Sequence, residues 1–356
     1  MPLVMDGVRI PALWAGKQRS RPAGPADGYD LQAECVEIAL INNMPDAALE
    51  DTESQFFELL DIASGDIAVR VKLYSLPNVP RSDRGLQHLR SCYSGIDDLL
   101  NRRFDGIIMT GTEPRQPSLR DEPYWRALTD VLDWAESNTS STVLSCLAAH
   151  AGVLHSDGIL RHALGDKQFG VFEFEKTVDH ALTRNSQNVA FPHSRCNEVR
   201  QDALTSCGYT VLTHSAEAGV DTFVKKKKRS LFVYFQGHPE YGEQTLLKEY
   251  RRDIKRFLRQ ERGTYPSMPR GYFDVAATKL LTDFRESVLG DRREELITGF
   301  PEAAVRGTLQ NIWRSSATAI YRNWLQYLLS KKADASSISV VTAVLEIVQR
   351  KRSVLR

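Results

Sequence analysis

A thiol, an imidazole and a carboxylate stand out by their places in the chain. Cys146 follows the β-branched and apolar run Thr142-Val143-Leu144-Ser145. It precedes Leu147-Ala148-Ala149-His150-Ala151-Gly152, small residues with helical character. That order reads as a buried strand, a sharp turn and a helix that opens at the cysteine. Free backbone N–H groups and the helix dipole would both favour a thiolate there. A lone Cys on such a strand is also a common core residue, so the thiol needs partners before it counts as a nucleophile. His238-Pro239-Glu240 supplies them, at the carboxyl end of the apolar run that starts at Ser230. The imidazole would hold the thiol proton and the carboxylate would orient the imidazole. Extended residues two apart point the same way, and Pro239 stiffens the pair. The reading is a Cys146–His238–Glu240 triad.

The elements around these residues must bring them together. Val36-Glu37-Ile38-Ala39-Leu40-Ile41 reads as a strand ending at Asn42-Asn43-Met44. A helix follows from Asp51-Thr52-Glu53, with Phe56, Leu59, Leu60 and Ile62 near one face. Residues 68–74 give a second strand, 86–100 a helix, 104–111 a third strand, 124–138 a helix and 141–145 a fourth strand. Strands alternating with helices at this spacing predict an α/β fold with a mostly parallel sheet flanked by helices. Ligands of such sheets sit beyond the carboxyl ends of the strands. Asn42-Asn43-Met44, Thr110-Gly111-Thr112 and Cys146 should therefore meet.

Beyond Cys146 the spacing turns antiparallel-like through 167–172 and 189–195, with further strands at 209–213 and 222–224. Lys225-Lys226-Lys227-Lys228-Arg229 reads as a solvated hairpin turn, with phosphate binding the alternative. Residues 245–259 form a long charged helix, and 275–309 look helical and charged. The stretch 311–329 spaces Trp313, Tyr321, Trp324 and Tyr327 for one helical side, packed on the body or on a second subunit. Residues 1–34 are rich in Gly, Pro and Ala and read as an extension, partly ordered at best, from which Trp14 could dock on the body. The division is an extension at 1–34, one domain at 35–274 and a C-terminal helical addition at 275–356.

The 356 residues carry a formal charge of only +1, so nothing global argues for nucleic acid or a membrane surface. Five cysteines, widely spaced and without a CxxC pair, argue against a disulfide framework or a structural zinc site. No stretch approaches a membrane span, and the N-terminus lacks a signal peptide's apolar core. A cytoplasmic protein is the expectation.

A cysteine on an elbow followed by His-Pro-Glu resembles the class I glutamine amidotransferases, which implies their flavodoxin-like fold. The agreement is closer with the homoserine O-acyltransferases that share their fold. Asn43-Met44-Pro45, Phe104-Asp105-Gly106 with Thr110-Gly111, Tyr124-Trp125, Lys167 with Gly170-Val171, and Pro192-His193-Ser194-Arg195 carry it. So do Gly237-His238-Pro239-Glu240-Tyr241, Thr245-Leu246 with Glu249-Tyr250-Arg251-Arg252-Asp253, Trp313-Arg314-Ser315, and Asn323-Trp324-Leu325 with Tyr327. The likeness runs from about residue 36 to 330, in the right order and spacing.

The resemblance implies an enzyme of methionine biosynthesis, usually a homodimer, that moves an acyl group from acyl-CoA to the hydroxyl of homoserine. Acyl-CoA would be a co-substrate, with no cofactor and no metal. By position Cys146 would accept the acyl group, His238 would be the base and Glu240 would orient it. Lys167, Ser194 and Arg252 fall where the family holds substrate, and the guanidinium of Arg252 suits an α-carboxylate. At the position of Arg115 the family has Gly in succinyl transferases and Glu in acetyl transferases. Arg115 could pair with a succinyl carboxylate, which favours succinyl-CoA, unless Glu113 neutralises it. Leu147-Ala148 and His150 stand where Trp-Gly or Trp-Ala and Gln are usual, and 275–309 exceeds the usual length. Acetyl-CoA as donor, serine as acceptor, a hydrolase or amidotransferase with the same triad, and a non-catalytic binding protein are the rivals. Amidotransfer would need a synthetase partner, and the chain has no P-loop.

Overall fold

The stretches expected as strands in the first half do form strands, most of whose residues are buried beneath helices on the two faces of one sheet. In the computed structural model, which describes residues 3–5, 35–184 and 188–354, they are β2 (Val36–Ile41), β3 (Val69–Tyr74), β4 (Gly106–Thr110) and β5 (Ser141–Ser145). Helices α1 (Asp46–Ser64), α2 (Asp83–Cys92), α3 (Ile96–Leu100) and α4 (Trp125–Asn138) connect them. After β5 come α5 (Leu147–Asp157) and, much later, β12 (Ser230–Phe235).

The eight-stranded sheet has the order β1-β3-β2-β4-β5-β12-β11-β8, where β1 is Leu3–Met5, β8 Thr210–Val211 and β11 Thr222–Lys227. Strands from β1 to β12 run parallel, and β11 and β8 are added antiparallel at the far edge. The run β3-β2-β4-β5-β12 has the flavodoxin-like order, in keeping with the amidotransferase-like, flavodoxin-like fold that the resemblance implied. Its direction reverses between β2 and β4. At that reversal the backbone N–H of Asn43 donates to Thr110 Oγ1 at 2.8 Å, and Asn43 Nδ2 donates to the Thr110 carbonyl at 3.0 Å. The two loops do meet at the carboxyl edge.

A second, four-stranded antiparallel sheet, β10-β9-β6-β7, is built from residues between α5 and β11, a stretch that also contains the short helix α6 (Gln201–Ser206) and β8. Its long members are β6 (His162–Lys176) and β7 (Asn188–Glu198), and its short ones β9 (Thr213–Ser215) and β10 (Gly219–Val220). One apolar core lies on each face of the large sheet, and a third surrounds α7 (Thr245–Leu258). Helix α10 (Arg314–Val354) closes the first of them. Trp324 Nε1 donates to Ser141 Oγ at 2.9 Å, and a Cβ on Gly106 would lie 2.8 Å from both Trp324 and Leu328.

Several elements differ from the sequence reading. The helix expected over 86–100 is two, because Ser94 leaves the helix to bridge Tyr74 at the edge of β3. Part of the N-terminal extension, Leu3–Met5, forms the edge strand β1 against β3, while Trp14 falls outside the described residues. The stretch 275–309 breaks into α8 (Val275–Leu289), a 3₁₀ turn at Glu294–Gly299 and α9 (Glu302–Arg306). These pieces cover the outer side of α7, where Arg292 donates to the Phe257 carbonyl and Glu294 pairs with Lys255 and Arg259. The lysine run does turn between β11 and β12, but Lys225 pairs with Asp157 at 2.7 Å and Lys228 with Glu136 at 3.0 Å. Asp157 and Glu136 thus offset part of that charge. Among the described residues no helix is long and apolar enough to cross a membrane.

Candidate active site

Strand β5 ends at Ser145 and the chain reverses at Cys146, which has φ 52° and ψ −112°. A positive φ on a non-glycine residue costs on the order of 1–3 kcal/mol and persists only where its surroundings impose it. Here the Cys146 N–H donates to the Phe235 carbonyl at 2.8 Å, and its own carbonyl accepts from Ala149 at 3.0 Å as α5 begins. The side chain is thereby thrown above the sheet, next to the first N–H groups of the helix. Gly111 makes room for this. A Cβ there would lie 2.4 Å from Leu147 Cβ and 3.0 Å from its backbone nitrogen.

Neighbouring β12 delivers Gln236, Gly237 and His238 beside the elbow. The N–H of His238 donates to the Pro192 carbonyl at 2.8 Å, and its Nδ1 lies 2.9 Å from Glu240 Oε1. His238 and Glu240 do not meet through extended alternation. Tyr241 N–H donates back to the His238 carbonyl at 3.2 Å, and this turn brings the two side chains together. Glu240 is buried and also accepts from Ser145 Oγ at 3.3 Å. The His238 ring stacks on Tyr241, with centroids 4.1 Å apart. Burial opposes a charged His238, yet the hydrogen-bonded Cys146 and Glu240 outweigh it and raise the imidazole well above its usual range. The setting therefore favours a charged His238 beside the Cys146 side chain.

The other sequence candidates form a polar cluster beyond His238. Lys167 Nζ lies 3.0 Å from Asp253 Oδ2 and 3.6 Å from Glu249 Oε2, over the Phe169 ring. Arg252 reaches Asp253 at 3.2 Å and is half-exposed. Ser194 Oγ donates to Glu249, whose other oxygen accepts from Tyr241 Oη at 2.6 Å. Tyr241 therefore joins the triad to this cluster. Glu249 and Asp253 did not stand out as site residues. Their spacing of four with Arg252 between them, on one face of an amphipathic helix, was the available signal.

The homoserine O-succinyltransferase family model matches residues 24–335. The chain belongs to that family. A homoserine O-succinyltransferase of Rhodopseudomonas palustris is 47% identical over 84% of this chain and 90% of its own length. One from Bradyrhizobium japonicum is 40% identical over 92% of this chain and 99% of its own. Among solved structures, a glutamine amidotransferase from Methylobacillus flagellatus is 12% identical over 83% of this chain and 95% of that one, with a TM-score of 0.45.

His150 and Arg115 are two of the positions that depart from the pattern expected of a homoserine O-acyltransferase. His150 is buried, and its Nε2 lies 2.9 Å from Gln236 Oε1. Burial drives it down to about 3, so it is a neutral bracket between α5 and β12. Arg115 is exposed, and its loop is held by Glu122 Oε1, which accepts from the N–H groups of Arg115 and Gln116 at 2.6 and 2.8 Å. Glu113 does not neutralise Arg115. It turns to Arg256, at 3.5 Å. Arg161 and Arg195 were not anticipated, and both lie close enough to Cys146 to interact with its charge. Arg161 sits in none of the motifs that carry the resemblance, and Arg195, although it ends the Pro192-His193-Ser194-Arg195 run, is assigned no role by it.

Proposed function

We propose that this chain succinylates the hydroxyl of L-homoserine from succinyl-CoA through an acyl-Cys146 thioester. The Cys146–His238–Glu240 geometry on a strained elbow, in a chain of this family, carries the reading. The thiolate attacks the thioester carbonyl, and the N–H groups at the start of α5 face the developing oxyanion. The tetrahedral adduct collapses, the C–S bond to CoA breaks, and imidazolium His238 gives its proton to the departing CoA sulfur. Neutral His238 then takes the proton of the homoserine hydroxyl as its oxygen attacks acyl-Cys146. Collapse releases O-succinylhomoserine and restores the thiolate beside protonated His238. Glu240 holds His238 and stabilises its charged form.

The cluster around α7 suits a zwitterionic amino acid. Arg252 offers its fork to the α-carboxylate, Glu249 and Asp253 oppose the ammonium group, and Ser194 and Lys167 fix Glu249 from the other side. Exposed and unneutralised by Glu113, Arg115 is available to the free carboxylate of a succinyl group. Acyl-CoA and homoserine are then the only small molecules the reaction requires, in a cytoplasmic homodimer on the route to methionine. Incubation with succinyl-CoA alone, followed by intact-protein mass spectrometry, tests the reading. One added succinyl group is expected, absent from Cys146→Ala and discharged by homoserine. Acylation that survives in Cys146→Ala, or an adduct released by water as fast as by homoserine, would overturn it.

A further inference from the structure

Behind His238 lies a second buried histidine and carboxylate. His193 on β7 is fully buried against the rings of Phe172 and Phe174. Its Nδ1 accepts from Arg195 Nε at 3.1 Å, so the ring proton sits on Nε2, 3.2 Å from Asp221 Oδ1. Burial keeps this ring neutral, with its titration lowered to about 4. Arg195 is tied down in turn by the carbonyls of Asn197 at 2.9 Å and Ala218 at 2.6 Å. Asp221, also fully buried, accepts the Gly237 N–H at 2.7 Å on Oδ1 and the Thr222 hydroxyl at 2.7 Å on Oδ2. Its carbonyl takes the Gln236 N–H at 3.2 Å. Both residues before His238 thus hang from Asp221.

Gly237 shows how tightly the pieces fit. A Cβ there would lie 2.6 Å from His193 Nε2 and 2.9 Å from Asp221 Oδ1. A backbone N–H needs only a neutral acceptor, whereas burying a carboxyl group with an arginine behind it is expensive in desolvation. Stability alone does not call for that arrangement at this turn. Geometry does, because misplacing a catalytic group by about 1 Å can lower a rate on the order of a hundredfold.

We propose that Asp221 is a positioning residue, braced by His193 and Arg195, that fixes the Gly237–His238 turn so that the imidazole faces the Cys146 thiol. The proposal rests on the triad reading. Its test is the pH dependence of Cys146 alkylation by iodoacetamide, which needs no substrate, together with steady-state kinetics on the full chain. Asp221→Asn keeps the volume and can still accept from Gly237, but loses the charge that holds His193 in line. Expected are a higher pH midpoint for alkylation, a kcat lowered roughly tenfold to a hundredfold, and substrate KM values near those of the parent. A purely structural residue would lower the melting temperature and leave midpoint and kcat alone. A folded Asp221→Asn with the parent's midpoint and kcat overturns the proposal. Should Asp221→Asn not fold, His193→Gln, which cuts Arg195 away from Asp221, must move both quantities in the same direction, and parental values there overturn it equally. Alkylation of the parent that is indifferent to His238→Asn would instead bring down the triad, and the positioning role with it.

Discussion

Glu240→Gln isolates the contribution of charge to the triad. The substitution keeps the side chain's size, and the Ser145 hydroxyl at 3.3 Å can still meet the amide oxygen. What disappears is the anionic partner 2.9 Å from His238 Nδ1 in a buried setting. A hydrogen bond to a charged group contributes about 1.5–3 kcal/mol net. One pH unit corresponds to about 1.36 kcal/mol. The imidazolium should therefore lose about 1–2 units of its elevation, and the thiolate that depends on it should form at correspondingly higher pH.

The amide also has a wrong face. If it turns its NH₂ toward Nδ1, the imidazole must put its proton on Nε2 and can no longer accept the homoserine proton there. By analogy with triads that lose their carboxylate, kcat should fall about 10²–10⁴-fold. The assays are iodoacetamide alkylation of Cys146 across pH and kcat with saturating succinyl-CoA and homoserine. A midpoint unmoved and a kcat within about twofold of the parent would refute the assignment of Glu240.

Arg252→Lys keeps the charge and loses the fork, so homoserine KM should rise by about 1.5–3 kcal/mol equivalent with little change in the KM for succinyl-CoA. Tyr241→Phe removes the bond to Glu249 and keeps the stack on His238, so homoserine KM should rise while alkylation of Cys146 keeps its pH midpoint. Arg115→Glu should swing the kcat/KM ratio from succinyl-CoA toward acetyl-CoA, and an unchanged ratio would exclude Arg115 from donor choice. His150 is held neutral, at about 3 against an ordinary 6.5, so the unfolded chain takes up its proton first as pH falls. Stability present above 6.5 is then lost below it, by about 2 kcal/mol between pH 6.5 and 5, and His150→Gln should flatten that loss in urea titrations at the two pH values.

What the sequence discloses here follows from the reach of its signals. Apolar runs of five or six residues separated by helical stretches specify a parallel sheet, because a strand covered on both faces has no polar side to interrupt it. The elbow was legible for the same reason: an apolar strand ending in a cysteine and followed at once by small helical residues leaves the chain no room except a sharp turn. The sequence favours one helix over 86–100 because Tyr93, Ser94 and Gly95 do not forbid it locally, and only pairing at the end of β3 draws Ser94 out. Polar pairing was the least visible. Lys167 and Asp253 are 86 positions apart, and Ser194 and Glu249 are 55 apart. Periodicity says which face of α7 is buried and nothing about which cation crosses to it.

The motif His238-Pro239-Glu240 shows why residue types can be right when the local geometry is not. Its two functional side chains would also have shared a side in an extended strand, yet here a turn closed from Tyr241 to His238 brings them together. The turn has a consequence that extended backbone would lack, since it folds Tyr241 back over the imidazole at 4.1 Å. From there the Tyr241 hydroxyl reaches Glu249, and the Tyr241 carbonyl accepts from Trp313 Nε1 at 2.8 Å just before α10 begins. One residue thus packs on the base, bonds to the polar cluster and anchors the C-terminal helix. The start of α10 and the chemistry of the site are joined at that point, through the indole of a tryptophan seventy-odd positions downstream of the catalytic motif.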